Sequence, residues 1–355
     1  MASLDKTARL RVGVIGAGFI SQVTHLPCFA AEPDAQLVAL ADNRPELLAQ
    51  VGRFFDISRQ YPHHDALIED ADIDAVVVCV HRRCLAPIVE AALSRGKAVL
   101  SEKPMAYTVA QGETLLAACA ADQIYAVGYM KRYDPGVRMF RDLLAARRAD
   151  GSLGAMRHVA IRDFCPTYAV TPPNHFATNL PKSYRYIEWP SIPEHLPLDY
   201  QSDYDWTLNV FSHDINLARW LLDCDIAAAG FFVRRGSAQT AVLSAAAVDI
   251  VVQGGRSDGG GWDQSVEVLF ERGRLVLRLV SPLDRSAVAS IEIHRPDGSQ
   301  HVTVPADKKV WAFQAQAAHF IAAARGDVSL ETPGRDSLHD LAVIEELWKR
   351  IIWKR

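Results

Sequence analysis

The sequence predicts two domains, an α/β domain with a doubly wound parallel sheet and an α+β domain with a large, mostly antiparallel open sheet. The chain has 355 residues, which is enough for two hydrophobic cores. From residue 10 to about residue 124, short apolar strands alternate with helical patterns, as is typical of a parallel sheet covered on both faces. After residue 127 the pattern changes to longer alternating runs separated by turn residues, which indicates antiparallel strands.

The first domain is predicted to cover residues 1–126. Its strands are Leu10–Ile15, Leu37–Ala41, Ala75–Val80 and Ala98–Leu100. The helical patterns between them include Arg44–Phe55 and Leu85–Arg95. Gly96 follows the second helix at the C′ position, where glycine is favoured because it adopts the left-handed conformation without strain.

The second domain is predicted to cover residues 127–355. Its strands are Met156–Phe164, Ala227–Arg234, Ala241–Val252, Ser265–Glu271, Arg274–Leu279, Ala287–His294 and His301–Val304. Arg272-Gly273 and Pro296-Asp297-Gly298 are hairpin signals. Two helices, Trp311–Arg325 and Asp336–Trp353, close the chain, and we expect the last one to pack back toward the first domain.

One segment, from Cys165 to Trp206, is too long to be an ordinary connection and is rich in proline and aromatic residues, among them Tyr184 and Tyr186. Long ordered loops in compact domains are usually lids or binding loops. The segment is therefore a candidate lid that stacks aromatic rings on a substrate. A contact between subunits or a passive surface loop is the alternative.

Charge and cysteine content narrow the class of partner. A formal net charge of −4 and a pI of about 6.3 give no electrostatic basis for binding nucleic acid or an anionic membrane. The six cysteines have no metal-ligand spacing and several lie in apolar runs, so we expect reduced cysteines. The chain shows neither a signal-peptide pattern nor a long apolar run, so the expected location is the cytoplasm.

A glycine-rich turn, Gly16-Ala17-Gly18-Phe19-Ile20-Ser21, directly follows the first apolar strand and opens a helix. This context is the one that a dinucleotide-binding turn requires. Gly16 allows a tight turn, Gly18 lets the backbone approach a pyrophosphate, and the helix N-terminus supplies N–H donors. Ser21 stands where a third glycine is usual and is still small.

Asp42 ends the second strand, where an acid accepts hydrogen bonds from the adenosine ribose and repels a 2′-phosphate. NAD is therefore expected, although Arg44 could offset the repulsion, so NADP stays possible. Lys103, in Glu102-Lys103-Pro104, follows a later strand and could donate to a substrate oxygen and share in proton transfer. The predicted cofactor-binding residues are Gly16, Gly18, Phe19, Ile20, Asp42, Asn43, Arg44, Val80, Glu102 and Lys103.

These motifs, with Gly128-Tyr129-Met130-Lys131-Arg132-Tyr133-Asp134-Pro135 and His213-Asp214-Ile215-Asn216-Leu217-Ala218-Arg219-Trp220-Leu221, resemble those of the glucose-fructose oxidoreductase, inositol dehydrogenase and rhizopine-catabolism (Gfo/Idh/MocA) family. The resemblance spans almost the whole chain. It implies an N-terminal Rossmann domain and a C-terminal open sheet whose outer face forms a homodimer or homotetramer interface. It also implies oxidation or reduction of a secondary alcohol of a sugar or cyclitol.

The resemblance further implies catalytic residues Lys103 and His213, with Asn209 where relatives commonly carry an aspartate. That departure puts the proton relay in question, and a carboxylate from Asp203, Asp205 or Asp214 is the alternative source of the missing charge. A second departure, His81-Arg82-Arg83-Cys84-Leu85 after the predicted strand Ala75–Val80, affects the cofactor contacts. The implied substrate-binding residues are Met130, Lys131, Arg132, Asp163, Tyr186, Asn209 and His213.

Without the resemblance, His213 could simply be a core histidine at a helix start. His63-His64-Asp65 has no companion ligands at metal spacing, so no metal is expected. The expected function is NAD-dependent oxidoreduction of a sugar, glycoside or cyclitol. Two alternatives are a redox-assisted enzyme with tightly held NAD, resembling a glycosidase or a paired oxidoreductase, and a non-catalytic dinucleotide sensor.

Overall fold

The structure, a computed structural model, describes residues 8–166, 175–180, 189–246, 248–257 and 261–352. It divides into two compact units, each with its own sheet and its own buried core. The first unit comprises Met1–Tyr129, Thr171–Ser191 and Phe313–Leu341. The second comprises Met130–Val170, Ile192–Ala312 and Ala342–Arg355.

The first unit contains a parallel sheet of six strands in the order β3-β2-β1-β4-β5-β6. The strands are β1 (Leu10–Ile15), β2 (Ala35–Ala41), β3 (Arg59–Tyr61), β4 (Ala75–Val78), β5 (Ala98–Ser101) and β6 (Tyr125–Val127). The apolar side chains of β1, β4 and β5 are almost fully buried, because helices cover both faces of a parallel sheet. The chain changes direction of travel across the sheet between β1 and β4, which is the switch point where such sheets bind ligands.

Helices connect these strands. They are α1 (Leu26–Ala31), α2 (Pro45–Phe54), α3 (His64–Glu69), α4 (Arg82–Ser94) and α5 (Val109–Ala118). Pro45 occupies the first turn of α2, where its missing N–H costs nothing, and the Thr108 hydroxyl caps α5 by accepting the Gln111 N–H. Gly96 has φ +73° just beyond α4, as predicted.

The second unit contains nine strands in the order β14-β13-β12-β11-β7-β10-β9-β8-β15. The strands are β7 (Met156–Cys165), β8 (Ile226–Arg234), β9 (Ala238–Ala245), β10 (Val248–Arg256), β11 (Asp263–Phe270), β12 (Gly273–Leu279), β13 (Ser290–Arg295), β14 (Gly298–Val302) and β15 (Ile351–Ile352). Only the β7–β10 and β8–β15 pairs are parallel among the pairs described. The predicted fold class, a Rossmann domain followed by a large and mostly antiparallel sheet, is confirmed.

The remaining helices are α6 (Pro135–Asp150), α7 (Gln201–Asn209), α8 (Phe211–Leu222), α9 (Ala312–Ala324) and α10 (Gly334–Lys349). The Asp134 carboxylate caps α6 by accepting the N–H groups of Gly136 and Val137, so this part of the Tyr133-Asp134-Pro135 motif has a structural role. In the described part of the chain, no helix is both long and apolar enough to cross a membrane.

Two predicted elements are wrong. The run Ala241–Val252 was expected to form one strand, but it belongs to the hairpin of β9 and β10, where Ala245 pairs with Val248. Its turn contains alanine and lacks the glycine, proline or asparagine that signals a reversal. The last helix ends at Lys349, four residues before the predicted end at Trp353, because Ile351 pairs with Phe231 of β8 instead.

Candidate active site

The glycine-rich turn has the close contacts that a dinucleotide-binding turn needs. Gly16 has φ +102°, and a Cβ there would lie 2.2 Å from the Cys79 carbonyl oxygen at the end of β4. The same Cβ would lie 3.1 Å from Val80 Cγ1. A Cβ at Gly18 would meet no atom within 4 Å, so the backbone there is open to an approaching pyrophosphate. The turn therefore fits a dinucleotide.

Asp42 and Arg44 form a bidentate ion pair beside this turn. Arg44 Nε lies 2.7 Å from Asp42 Oδ1, and Arg44 Nη2 lies 2.7 Å from Asp42 Oδ2. The carboxylate also accepts the backbone N–H of Ala17 at 2.8 Å, and the side chain is only 4% exposed. A ribose binding to Asp42 would have to displace Arg44, and the guanidinium neutralises the charge that would repel a 2′-phosphate. Neighbouring Asn43 is exposed.

The helix that follows Gly18 starts at Phe19 and contains a π-helical turn, Ser21–His25, before α1. Gln22 in this turn donates to the Phe176 carbonyl at 3.0 Å and accepts the Phe176 N–H at 2.7 Å. The Phe19 and His175 rings meet edge to face, with centroids 5.2 Å apart. Residues 175–180 of the candidate lid are thereby joined to the dinucleotide turn within the first unit, whereas Tyr184 and Tyr186 lie outside the described residues.

Lys103 follows β5 through Glu102, and Pro104 follows a cis peptide bond. Glu102 Oε1 lies 2.7 Å from His25 Nε2, and Glu102 Oε2 accepts the Lys103 backbone N–H at 3.3 Å. Burial alone would raise the pKa of Glu102, but the His25 hydrogen bond and the nearby charges of His25 and Lys103 hold it below its ordinary value. Glu102 is therefore a largely buried carboxylate that fixes the backbone bearing Lys103.

Cys79 completes a small cluster with His25 and Glu102, whose ligand atoms lie within 4.8 Å of one another. Burial, followed by the charge of Glu102, raises the pKa of the Cys79 thiol well above its ordinary value. A protonated thiol is a poor metal ligand, and the His25–Glu102 hydrogen bond already occupies the other two groups. We interpret the cluster as a support for Lys103.

The second unit contains a buried polar cluster. Lys131 Nζ lies 3.6 Å from Asp163 Oδ2 and 3.9 Å from Asp214 Oδ1. Gln264 Nε2 donates to the same two oxygens at 2.7 and 2.9 Å. Asp163 lies inside β7, as the predicted strand Met156–Phe164 implies, and directly opposite Gln264 of β11. The cluster combines a cation, carboxyl groups and an amide, which can bind hydroxyl groups.

Met130 and Arg132 lie on the same short 3₁₀ turn, Met130–Tyr133, as Lys131. Arg132 is 4% exposed, and its Nε donates to Asn216 Oδ1 at 2.7 Å. Its guanidinium also lies 5.9 Å from the Trp220 ring centroid. These contacts fix Arg132 to α8, so the predicted substrate role of Arg132 competes with a structural one.

His213 lies in the first turn of α8, and Asn209 is the last residue of α7, four positions earlier. Both side chains are partly exposed. Asp203, a candidate replacement for the missing aspartate, accepts the Gly236 N–H at 2.9 Å and lies 3.5 Å from Arg235. Burial, followed by the charge of Asp163, raises the pKa of Asp214 well above its ordinary value, so Asp214 is a poor source of countercharge for His213.

Sequence reasoning did not identify four polar residues that support these sites: Gln22, His25, Asp214 and Gln264. His25 lies nine residues after Gly16, on the helix that follows the glycine-rich turn. Its spacing from that turn could have indicated a role beside the cofactor. Asp214 was considered only as a countercharge for His213. Gln264 carries no sequence signal, because only the pairing of β11 with β7 places it opposite Asp163.

Comparison with known proteins identifies relatives of this chain. A model of the oxidoreductase family with an NAD-binding Rossmann fold matches residues 10–129. The inositol 2-dehydrogenase of Pseudomonas syringae pv. syringae is 30% identical over 288 residues, which cover 77% of this chain and 75% of that protein. A dTDP-3,4-didehydro-2,6-dideoxy-alpha-D-glucose 3-reductase of Streptomyces antibioticus is 27% identical over 95% of this chain and 94% of its own length.

Among solved structures, a 3-ketoreductase from Actinomadura kijaniata in complex with NADP and TDP-benzene has the same fold. It superimposes with a TM-score of 0.78 over 97% of this chain and 98% of that one, at 22% identity. The family match, the extent of the similarity to inositol 2-dehydrogenases and the fit of the glycine turn agree with one another. The chain belongs to the Gfo/Idh/MocA family and is an NAD(P)-dependent oxidoreductase acting on CH–OH groups.

Proposed function

We propose that the chain oxidises a secondary hydroxyl of a sugar, glycoside or cyclitol, or reduces the corresponding ketone, with NAD as the preferred cofactor. The observation that carries the proposal is the buried cluster of Lys131, Asp163, Asp214 and Gln264. It offers a charged donor beside a charged acceptor, the combination that binds ring hydroxyls. The relatives named as inositol dehydrogenases and as a sugar reductase act on ligands of this kind.

In this proposal, Gly16, Gly18, Phe19, Ile20, Asp42, Asn43, Arg44, Val80 and Glu102 hold the dinucleotide. When bound, the nicotinamide supplies the group that accepts or donates the hydride. Lys103 donates a hydrogen bond to the reacting oxygen and shares in the movement of its proton. The His25–Glu102 hydrogen bond holds the backbone of Lys103 in place.

His213 takes the hydroxyl proton during oxidation and returns it during reduction. Asn209 can orient the imidazole, but its amide carries no charge to stabilise the protonated ring. Met130, Lys131, Arg132 and Asp163 are proposed to contact the substrate, together with Tyr186.

The experiment that tests this function is a screen of the purified protein for NADH formation. Cyclitols, free sugars and glycosides are offered with NAD and then with NADP, and the corresponding keto compounds are offered with NADH. We expect at least one neutral polyol to support turnover that Lys103→Ala loses and that replacement of an exposed lysine, Lys308→Ala, retains. Turnover that survives in Lys103→Ala would overturn the assignment of Lys103.

A second candidate is a redox-assisted enzyme whose NAD stays bound. The two hydrogen bonds between Gln22 and Phe176 favour it, since they join residues 175–180 to the dinucleotide turn. Such an enzyme would retain NAD through extensive dialysis and cleave or epimerise its substrate without net NADH formation. Rapid loss of NAD on dialysis would exclude it.

We also propose a cytoplasmic homodimer or homotetramer that associates through the outer face of the nine-stranded sheet. Apolar side chains on that sheet include Phe232 and Leu269, each 41% exposed. Light scattering after size exclusion should give an even number of subunits. Replacing Phe232 with lysine should then lower the measured mass, and a wild-type monomer would contradict the proposal.

A further inference from the structure

The polar cluster of the second unit is deeply buried. Asp214 is 0% exposed, and Asp163 and Gln264 are each 3% exposed. Three separate elements supply the groups around Asp163: the 3₁₀ turn supplies Lys131, α8 supplies Asp214, and β11 supplies Gln264. Water therefore has little access to two carboxyl groups that lie side by side.

Gln264 fixes the two carboxyl groups relative to each other. Its Nε2 donates one hydrogen to Asp163 Oδ2 and the other to Asp214 Oδ1. Rotating the amide by half a turn would place Oε1 against two carboxyl oxygens, so the contacts determine its orientation. Its Oε1 is then buried, with no hydrogen-bond partner among the residues that the structure describes.

The charged groups and hydrogen-bond donors around Asp163 and Asp214 indicate that the two carboxyl groups hold one proton between them. Lys131 lies within ion-pair distance of both Asp163 and Asp214, so a single ammonium group faces two carboxyls. One oxygen of each carboxyl accepts from the same amide nitrogen, Gln264 Nε2, so the two groups lie close enough that two ionised carboxylates would repel each other. Asp214 is 0% exposed and Asp163 is 3% exposed, so Asp214 is the group for which a charge would cost more and the one better suited to carry the proton.

We propose that Asp163 and Asp214 share a single proton, held between them by Gln264, so that the pair presents one negative charge to Lys131 and the cluster has no net charge. Asp214 is then a neutral acid that donates to Asp163, and it acts as a positioning residue. An uncharged cluster suits an uncharged, hydroxyl-bearing ligand, whose hydroxyl can donate to Gln264 Oε1. Only this last step, the class of ligand, rests on the proposed function.

The other elements packed against the pair add little charge. Burial, followed by the charge of Asp163, raises the pKa of the Cys165 thiol to about 11, so Cys165 is neutral. On the other side of β7, Gly254 of β10 pairs with Asp163, and a Cβ there would collide with the rings of Phe211 and Trp206. Burial and the charge of Asp163 raise the pKa of Asp214, in agreement with the shared proton.

The first test measures this proton through stability and needs no substrate. A carboxyl whose pKa is raised by folding stabilises the protein below the unfolded pKa of about 3.9, and this stabilisation is lost as the pH rises toward the folded pKa. Asp214→Asn has no carboxyl group at this position, so its stability cannot change with pH in this way. We therefore expect the urea midpoint of the wild type to fall, relative to that of Asp214→Asn, as the pH rises above the unfolded pKa of about 3.9.

Asp249→Asn, on the exposed side of β10, is the matched control, and its midpoint should stay parallel to that of the wild type. Asp163→Asn removes the other carboxyl group of the pair and should produce the same pH-dependent difference in urea midpoint from the wild type. This second variant keeps the test available if Asp214→Asn does not fold. Midpoints of all variants that run parallel to the wild type across this pH range would overturn the proposal.

The second test concerns the ligand, and uses whichever neutral polyol the screen identifies. Gln264→Leu removes both donors to the carboxyl pair and should raise the polyol's KM on the order of tenfold, with a smaller change in kcat. Gln264→Glu adds a carboxyl group and should raise KM further as the pH rises. Equal changes in kcat and KM for both variants would contradict the positioning role.

Parallel stability curves refute the shared proton, whereas a screen without any turnover refutes only the proposed function.

Discussion

The two units build their polar sites in different ways. In the first unit, Asp42 pairs with Arg44 and Glu102 accepts the N–H of Lys103, so these partners lie close together in the sequence, and His25 is the one partner that comes from a distant element. In the second unit, Lys131, Asp163 and Gln264 come from separate elements that only the folded sheet brings together. The first arrangement can be read from motifs, whereas the second depends on strand register.

The units also differ in how water reaches their charges. The Arg44 side chain is 16% exposed, so its pairing with Asp42 is partly screened. The Asp214 side chain is 0% exposed and that of Asp163 is 4% exposed. Removing one partner from a buried cluster leaves a costly unpaired group, on the order of 3–5 kcal/mol for a buried ion pair. Substitutions in the second unit should therefore affect stability more, and substitutions in the first should affect cofactor use and turnover.

Replacement of Lys103 should have the largest effect on activity. Lys103→Ala should lower kcat on the order of 10²–10⁴-fold, because a positioned group that transfers a proton contributes that much. The dissociation constant of NAD, measured by fluorescence titration, should change little, since the glycine turn and Asp42 remain. A variant with near-normal kcat would show that Lys103 is structural.

The next largest effect is expected at His25, and it would show whether the support of Lys103 depends on a charged hydrogen bond. His25→Leu removes the contact to Glu102 Oε1 and leaves a largely buried carboxylate without it. We expect a loss on the order of 1–3 kcal/mol in the free energy of unfolding at neutral pH, together with a lower kcat.

The pH dependence of this loss in the free energy of unfolding distinguishes a missing hydrogen bond to a charged carboxylate from a packing defect. Because the pKa of Glu102 is held below its ordinary value, its stabilising contribution is present above the ordinary pKa and lost as the pH falls through the folded pKa. The difference in the free energy of unfolding between the wild type and His25→Leu should therefore become smaller as the pH is lowered. His25→Gln, which keeps a donor, is the control, and a gap that does not change with pH would indicate a packing defect.

The sequence predicted most of the first unit because each of its signals is local. β1 begins and ends at the predicted residues, and the glycine turn, Asp42 and Lys103 follow strands at their carboxyl ends. The predicted strands missed the short β3, β6 and β15, whose two or three residues give no periodicity. The β9–β10 hairpin was missed because alanine at the turn carries no turn signal.

The site of the second unit could be predicted only in part. The family motifs indicated Lys131, Asp163 and His213, but nothing in a single sequence shows that Gln264 faces Asp163. That fact depends on the antiparallel register of β11 and β7, and a slip of one residue would turn Gln264 to the opposite face of the sheet. The NAD preference inferred from Asp42 is likewise modified by a guanidinium whose contact the sequence only suggested.

Arg44 offers a smaller and more specific test. Arg44→Ala should leave the charge of Asp42 without its bidentate partner, so repulsion of a 2′-phosphate should increase. We expect kcat/KM with NADP to fall on the order of tenfold relative to that with NAD, which corresponds to about 1.4 kcal/mol. Asp42→Asn should change the ratio in the opposite direction. An unchanged ratio in both variants would show that this pair does not select the cofactor.

The smallest effect is expected at Asn209, where substitution by aspartate adds to the second unit a charge that it lacks. In Asn209→Asp, a carboxylate four residues before His213 should favour the imidazolium and raise the pKa of that histidine. The base form is then lost at a higher pH, so the acidic limb of the pH-rate profile for oxidation should move upward by on the order of one pH unit. Saturating NAD keeps cofactor binding out of the measurement.

The structure sharpens this last test, because two of the possible substitutes for the missing aspartate are already engaged. Asp203 bonds to Gly236 and lies beside Arg235, and the raised pKa of Asp214 makes it a poor anion. A new charge at position 209 should therefore be felt by His213. Asp223→Asn, which alters an exposed carboxylate beyond the end of α8, is the control and should leave the limb in place. An acidic limb that stays unchanged in Asn209→Asp would mean that another carboxylate, with Asp205 the remaining candidate, already stabilises the imidazolium.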